Sequence, residues 1–173
     1  MTIWLTGLPA SGKSTLAGRV GDEAVRKGKA AYVLDGDQLR QGLCSDLGFS
    51  TKDRAENIRR TAEVACIIAG GGAVCIVSLI SPLADARARA RDLHRKSGIL
   101  FYEVYLSAPP DICEKRDPKG LYRRYRQGLL TALTGMDSPY EPPTDADLVL
   151  PTHRLSIEES VRQIMELVKL RPV

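Results

Sequence analysis

The sequence predicts an α/β fold, a three-layer sandwich in which a mainly parallel five-stranded sheet carries helices on both faces. Five short segments rich in branched and aromatic residues alternate with helical segments, which is typical of a parallel sheet. A glycine-rich loop ending in Gly-Lys-Ser joins the first strand to the first helix. Residues 117–143, rich in glycine, proline and basic residues, interrupt the alternation and predict a mobile lid.

The first strand is predicted at Ile3–Thr6 and the first helix at Ser14–Lys27. Residues 7–14 read G-x-x-x-x-G-K-S, the phosphate-binding loop, whose backbone N–H groups face phosphate oxygens at a helix N-terminus. Lys13 is expected to reach the β- and γ-phosphates of ATP, and the Ser14 hydroxyl to ligate Mg²⁺. The alternative, a glycine-rich turn with a chance lysine, is disfavoured by the flanking strand and helix. The candidate ATP-binding residues here are Gly7, Leu8, Pro9, Ala10, Ser11, Gly12, Lys13, Ser14 and Thr15.

The second predicted strand, Ala31–Leu34, runs into Asp35-Gly36-Asp37. Ligands of open parallel sheets bind at the carboxyl ends of strands, so both carboxylates are expected near the phosphate loop. Asp35 is a candidate Mg²⁺ ligand, through water, and Asp37 a candidate acceptor of the proton of an attacking hydroxyl. The alternative is a turn in which the aspartates cap local backbone. The third predicted strand, Ala73–Ser78, has no acidic residue at its end, which favours Asp35 for the metal.

Further helices and strands follow from periodicity and from start signals. Ser50 with Asp53, and Ser156 with Glu159, form capping boxes that predict two helix starts. Ser81-Pro82 has the pattern of an N-cap followed by proline at the first helical position. The remaining helices are predicted at 52–69, 84–96, 109–115 and 157–170, and the remaining strands at 100–106 and 147–150.

Charged and aromatic residues around the second helix start are candidates for binding an anionic substrate. Arg40, Arg54 and Asn57 lie close enough in sequence to converge, and arginine pairs bidentately with phosphate or sulfate oxygens. Phe49 either stacks on a base or packs in the core. The adjacent residues 59–60, both arginine, are expected on a solvated helix face.

Composition narrows the class of protein. A chain of 173 residues is expected to form one domain, 1–173, and no apolar run approaches the ~20 residues that cross a bilayer. The phosphate loop begins at Gly7, so no signal peptide is expected. Four cysteines without metal-like spacing predict a cytoplasmic protein without a structural disulfide. A net charge of +4 suits anionic substrates, but it is weak evidence for binding nucleic acid.

Six separated segments carry a resemblance to one known family. They are GLPASGKST (7–15), LDGDQLRQGL (34–43), DLGFSTKDRAENIRR (46–60), SLISP (78–82), CEKRDPKGLY (113–122) and LTGMDSPYEPP (133–143). In order and spacing they resemble the adenylylsulfate kinase (APS kinase) family. The resemblance implies transfer of the ATP γ-phosphate to the ribose 3′-hydroxyl of adenosine 5′-phosphosulfate (APS), giving PAPS and ADP.

The resemblance also implies roles for individual residues. Asp37 matches the aspartate near the 3′-hydroxyl, and Lys119, in the lid, a lysine that neutralises charge between donor and acceptor. Ile80 and Ser81 match the substrate-side loop after the third strand. Arg40, Arg54 and Asn57 match positions that contact the APS phosphosulfate. Phe49 matches an aromatic residue that stacks on the APS adenine, and Arg116 matches a position near the ATP base.

Ser81 has two interpretations. In bacterial members of the family that the chain resembles, this position is described as a phosphoserine intermediate. Direct in-line transfer needs no phosphoenzyme, so a capping or substrate-contact role is favoured.

One departure from the family pattern concerns the acceptor. Leu133 stands where the family usually has a phenylalanine that forms the second face of the adenine sandwich. An alternative function is therefore a related 3′-hydroxyl kinase that acts on another nucleotide derivative, such as a cytidine diphosphate derivative. The resemblance further implies a homodimer and functional coupling to ATP sulfurylase.

A third hypothesis is a non-catalytic nucleotide-binding regulator or a nucleic-acid partner. The basic composition permits it, but the candidate catalytic and metal residues are all present, whereas a degenerate module would have lost one. We therefore expect no nucleic-acid and no membrane partner. The residues on which this argument depends are Lys13, Ser14, Asp35, Asp37 and Lys119.

Overall fold

A computed structural model describes residues 1–169 of the chain. In this part of the chain, five strands form one sheet in the order β2-β3-β1-β4-β5, and every adjacent pair is parallel. The predicted α/β P-loop kinase fold is therefore confirmed. The strands are β1 (Thr2–Thr6), β2 (Ala31–Asp35), β3 (Val74–Ser78), β4 (Phe101–Leu106) and β5 (Leu148–Leu150).

The helices that were predicted all form, and their described ends lie within one residue of the predicted ones. The predicted end of the last helix at residue 170 lies outside the described residues. Two short helices, Gly36–Leu39 and Leu121–Arg126, were not predicted, because four and six residues are too few to show a period. The helices are α1 (Lys13–Arg26), α2 (Gly36–Leu39), α3 (Thr51–Gly70), α4 (Ala84–Lys96), α5 (Pro110–Arg116), α6 (Leu121–Arg126) and α7 (Ile157–Lys169).

Strand β1 shows how the three layers form. Ile3 and Leu5 point to one face and join an apolar cluster with buried residues of α1 and α7. Trp4 points to the other face and joins a second cluster with residues of α3 and α4. Since successive side chains of a strand alternate between faces, one strand supplies both cores. Helices therefore cover both faces of the sheet, as predicted.

The predicted lid at 117–143 is anchored to the rest of the protein. Tyr122 on α6 and Leu133 are buried in a small apolar cluster with Leu8 and Cys113. The Tyr122 hydroxyl donates to the carbonyl oxygen of Pro9 at 3.2 Å, which ties the lid to the phosphate loop. The alternative of a merely solvated basic loop is therefore wrong for this segment. Its mobility stays a prediction.

The start of α4 differs from the prediction. The Ser50 and Ser156 caps form as expected, each hydroxyl accepting a backbone N–H at 3.1 Å. The Ser81-Pro82 cap is wrong, because α4 begins at Ala84 after Leu83, whose side chain gives no cap. Ser81 instead lies in the left-handed region at φ 48°, and its hydroxyl accepts from the Trp4 indole N–H at 2.9 Å.

All four cysteines are buried free thiols, as expected for a chain without a structural disulfide. Within residues 1–169, no helix is long and apolar enough to cross a membrane. The cytoplasmic location stays a prediction.

Candidate active site

A cleft of about 920 Å³ opens at the carboxyl ends of the strands, where parallel sheets bind their ligands. The phosphate loop forms its floor, and the ends of β2 and β3 and the start of α3 form one wall. Arg116, at the end of α5, and lid residues of the 117–121 and 130–134 segments line the opposite side. The cleft therefore collects residues from most of the resembling segments into one space.

The phosphate loop is held by close backbone contacts. Gly7 has φ 152°, and a Cβ at this position would lie 2.8 Å from the carbonyl oxygen of Leu106. The Lys13 ammonium donates to the carbonyl oxygens of Gly7 and Leu8 at 2.9 and 2.8 Å, and to the Ser11 hydroxyl at 3.3 Å. Burial lowers the pKa of Lys13 to about 8. In this arrangement the Lys13 ammonium is hydrogen-bonded to oxygen atoms of its own loop.

Ser14 and Asp35 meet across the start of α1. The Ser14 hydroxyl donates to one oxygen of Asp35 at 2.7 Å, and the Asp37 backbone N–H donates to the other at 3.0 Å. Burial acts to raise the pKa of Asp35, but hydrogen bonds from Ser14, the Asp37 N–H and Ser78 outweigh it and lower the pKa below its usual value. Asp35 thus caps α2, as the turn alternative held, and also faces the phosphate loop.

The oxygen pair of Ser14 and Asp35 fits a small hard cation. Magnesium prefers hydroxyl and carboxylate oxygens and keeps several waters, so two protein oxygens at the mouth of a phosphate loop suffice. Among the described residues, no cluster of three or more His, Cys, Asp or Glu side chains that could hold a metal ion occurs.

Asp37 and Lys119 meet across the cleft. The Lys119 ammonium, in the lid, forms an ion pair with a carboxylate oxygen of Asp37, on α2. Both side chains are more than half exposed, so solvent screens the pair and leaves it easily broken. The tertiary structure therefore brings together the predicted proton acceptor and the predicted lid cation, which are 82 residues apart.

Phe49 is 58% exposed and lines the cleft, so the core-packing interpretation is wrong. The Arg40 guanidinium lies 4.3 Å from the centre of its ring, and that of Arg54 lies at 5.7 Å. Arg54 is buried, and it donates to the carbonyl oxygens of Phe49 and Ala132 at 2.9 and 2.6 Å. Burial and, next, the charge of Arg40 lower the pKa of Arg54. Two cations and an aromatic ring therefore face one region of the cleft.

Asn57 is buried on the same wall, and its amide nitrogen has no hydrogen-bond partner among the described residues. Ile80, Ser81 and Leu133 also line the cleft, and Leu133 is only 5% exposed. By contrast, Arg59 is exposed on α3 and pairs with Glu56, as the solvated-face interpretation predicted, whereas Arg60 is partly buried and pairs with Glu56 and with Asp46, which precedes α3.

The cleft also contains, near Arg116, residues that sequence reasoning missed. Arg116, which was predicted, donates to the carbonyl oxygen of Thr152 at 2.6 Å, and the Thr152 hydroxyl donates to the Ser11 carbonyl at 2.9 Å. The residues that sequence reasoning missed all follow β5 in the chain. The rule that ligands bind beyond the carboxyl ends of strands could have found them. They are Thr152, Leu155, Ser156, Ile157 and Ser160.

Comparison with known proteins places this geometry in a family. A family model described as Adenylylsulphate kinase matches residues 1–151. The chain is 48% identical over 165 residues to the adenylyl-sulfate kinase of Saccharomyces pastorianus, covering 95% of this chain and 82% of that protein. It is 50% identical over 168 residues to the bifunctional enzyme CysN/CysC of Mycobacterium tuberculosis, covering 97% of this chain but spanning only 27% of that relative.

A solved structure agrees with the sequence comparison. The Mycobacterium tuberculosis APS kinase CysC in complex with AMPPNP and APS matches with a TM-score of 0.94 at 50% identity. The match covers 97% of this chain and 96% of that one. The backbone of the cleft is therefore similar to one that has been solved with both an ATP analogue and APS.

Proposed function

The chain belongs to the adenylylsulphate kinase family, and we propose that it transfers the γ-phosphate of ATP to the 3′-hydroxyl of APS, giving PAPS and ADP. The observation that carries this proposal is the juxtaposition inside one cleft. A phosphate loop lies on one side and an exposed aromatic ring flanked by arginines on the other. Asp37 and Lys119 meet between them, where the phosphoryl group would move.

On the donor side, the loop N–H groups and Lys13 bind the ATP phosphates, and Arg116 lies beside the base. Lys13 must exchange the carbonyl oxygens of Gly7 and Leu8 for phosphate oxygens when ATP binds. Ser14 and Asp35 would hold Mg²⁺, which would screen the charge of the β- and γ-phosphates.

At the reacting centre, Asp37 orients the 3′-hydroxyl and accepts its proton as the hydroxyl oxygen bonds to the γ-phosphorus. The bond from the γ-phosphorus to the bridging oxygen breaks, and that oxygen leaves with ADP. Lys119 leaves its ion pair with Asp37 and moves to the phosphates, because the incoming charge is larger than that of one carboxylate. The exchange frees Asp37 to accept the proton.

On the acceptor side, Arg40, Arg54 and Asn57 bind the phosphosulfate, and Phe49 stacks on the adenine. The unpartnered amide of Asn57 supports this role, since a buried donor without a partner is costly until a ligand satisfies it. The Ser81 hydroxyl already accepts from Trp4, and Ser81 as a whole is 2% exposed, which supports direct transfer without a phosphoserine.

Assembly and coupling are finer parts of the proposal. We keep the homodimer as a proposal, to be tested by size-exclusion chromatography with light scattering. The relative CysN/CysC joins two enzymes in one chain, which supports coupling of this kinase to a second activity, expected to be ATP sulfurylase.

The test is an acceptor screen at fixed Mg-ATP that follows ADP release. APS is compared with 5′-AMP, cytidine diphosphate derivatives, gluconate and shikimate, and the phosphorylated position is located by NMR. Turnover with APS alone and a 3′-phosphorylated product is the expected result. Turnover with another nucleotide in place of APS would show that the acceptor is a different molecule, and Leu133 would be the first residue to test as the cause. ATP binding without any turnover would contradict the proposal and favour a regulator.

A further inference from the structure

The segment Leu79–Pro82 forms one wall of the acceptor side of the cleft and has an unusual backbone. Ser81 lies at φ 48°, in the left-handed region that residues other than glycine, asparagine and aspartate rarely adopt. Such a conformation costs free energy and persists only where surrounding contacts impose it. The contacts that impose it come from three other parts of the chain.

Three consecutive carbonyl oxygens of this wall each accept a hydrogen bond from a different element. The hydroxyl of Thr6, on β1, donates a hydrogen bond to the Ile80 carbonyl oxygen at 2.7 Å. Arg87, on α4, donates to the Ser81 carbonyl at 2.7 Å. Glu141, at the end of the lid, donates its backbone N–H to the Pro82 carbonyl at 2.9 Å. The wall has therefore little freedom to rotate about any of its peptide groups.

Arg87 joins the wall to the lid. Its guanidinium is 3% exposed and is engaged on all three nitrogens. It donates to the carboxylate of Glu103 at 2.6 Å, to the Ser81 carbonyl, and to the Glu141 carbonyl at 2.8 Å. A planar guanidinium holds three acceptors in one plane, which lysine cannot do.

Glu141 also supplies the cap that α4 lacks. The sequence offers Leu83 at the N-cap position, and its side chain cannot accept a hydrogen bond. A Glu141 carboxylate oxygen accepts the Ala84 backbone N–H at 2.6 Å instead. Its neighbour Tyr140 bonds to the Thr6 hydroxyl at 3.0 Å. These residues belong to the segment DSPYEPP (137–143), for which the proposed function provides no role.

We propose that Arg87 and Glu141 are positioning residues for the acceptor. Arg87 holds the carbonyl of Ser81 in its left-handed conformation and joins the acceptor wall to the lid, and the Glu141 carboxylate holds the start of α4, directly after the wall. The proposal rests on the proposed function. Neither side chain lines the cleft, so both act through the wall. Because the wall is fixed before the acceptor arrives, less ordering accompanies binding, and the acceptor gains affinity without a new contact.

The test compares Glu141→Ala with Glu141→Gln and Asp85→Ala. Glu141 is exposed, so its loss is compatible with folding. Alanine removes the cap on Ala84, whereas glutamine keeps an oxygen to accept that N–H. Asp85 is the matched control, because it lies next to Ala84 on the same helix end but pairs only with Arg89 within the described residues.

The kinetic expectation is a KM for APS raised at least about tenfold in Glu141→Ala, with the KM for ATP nearly unchanged. Glu141→Gln and Asp85→Ala are expected to behave as the wild type. In the same variants, hydrogen exchange of the ligand-free protein is expected to speed up at Ala84 in Glu141→Ala alone, by about fivefold or more.

Turnover of APS by the wild type and the KM for APS of Glu141→Ala distinguish failure of the proposed function from failure of the positioning role. If the wild type does not phosphorylate APS, the proposed function fails, and the positioning role fails with it. If the wild type is active but Glu141→Ala leaves the KM for APS unchanged, only the positioning role is overturned. Equal increases in both KM values, or unchanged KM values together with a loss of folding cooperativity, would show a purely structural role and would also overturn it.

Discussion

The donor and acceptor halves of the cleft are built in different ways. The donor half centres on one continuous loop, Gly7–Ser14, whose lysine is held by acceptors within the loop itself. The acceptor half is assembled from α2, the start of α3, the wall after β3 and the lid. The phosphate-binding part of the donor half is therefore local in sequence. Its other part, around Arg116 and Thr152, and the whole acceptor half depend on contacts between distant segments.

This difference teaches where function is robust and where it can change. Substitutions in the phosphate loop remove an interaction with ATP that transfer to any acceptor needs, so they are expected to lower turnover with every acceptor. Substitutions on the acceptor side change which molecule is bound or how well it is placed. Four predictions test this division, and they run from the largest expected effect to the smallest.

Lys13→Ala is expected to lower kcat by roughly 10³-fold or more, because the ammonium is the positive charge with which the loop stabilises the β- and γ-phosphates. The measurement is steady-state ADP release, with circular dichroism to check folding. Lys96→Ala, an exposed lysine at the end of α4, is the control and should retain full activity. An active Lys13→Ala would break the assignment of the donor half.

Asp37→Asn is expected to lower kcat by roughly 10²- to 10⁴-fold while ATP affinity stays nearly unchanged, since the amide cannot accept the hydroxyl proton. Single-turnover kinetics and ATP titration separate the two quantities. Asp22→Asn on the outer side of α1 is the matched control. A comparable loss of ATP affinity would instead point to a structural role for the Asp37–Lys119 pair.

ATP affinity is expected to fall as pH rises above about 8. Burial lowers the pKa of Lys13 to about 8 in the free protein, whereas bound phosphates favour its charged form and raise that pKa. Between the two pKa values ATP binding takes up a proton, so the affinity decreases by up to about tenfold per pH unit. Calorimetry in buffers of different ionisation enthalpy measures the proton uptake. No uptake at pH 9 would contradict this.

Leu133→Phe is expected to tighten APS binding by about fivefold, since an aromatic pair adds about 1 kcal/mol beyond burial. Leu133 is packed against Leu8 and Tyr122, so the larger ring is also expected to lower the melting temperature. Leu129→Phe, at a position 67% exposed in the lid, is the control. Unchanged affinity for APS would remove the sandwich argument.

The elements that sequence predicted well are those with local signals. The strands and long helices have hydrophobic periods, and the Ser50 and Ser156 caps act within one turn. The prediction failed at Ser81-Pro82, where the local capping pattern was present but tertiary contacts to Trp4 and Arg87 imposed another conformation. A local pattern is only a tendency, and two buried donors outweigh it.

By itself, the sequence determined the sheet, the phosphate loop and the candidate residues of both halves, because period, glycine spacing and motif order are encoded along the chain. Only the tertiary structure decided that Phe49 faces the cleft, that Lys119 meets Asp37, and that the residues after β5 complete the donor side. These pairings join segments many residues apart. These segments meet because burial of the two apolar faces of the sheet brings their loops to one edge of the sheet. No local sequence pattern encodes which loops will then be in contact.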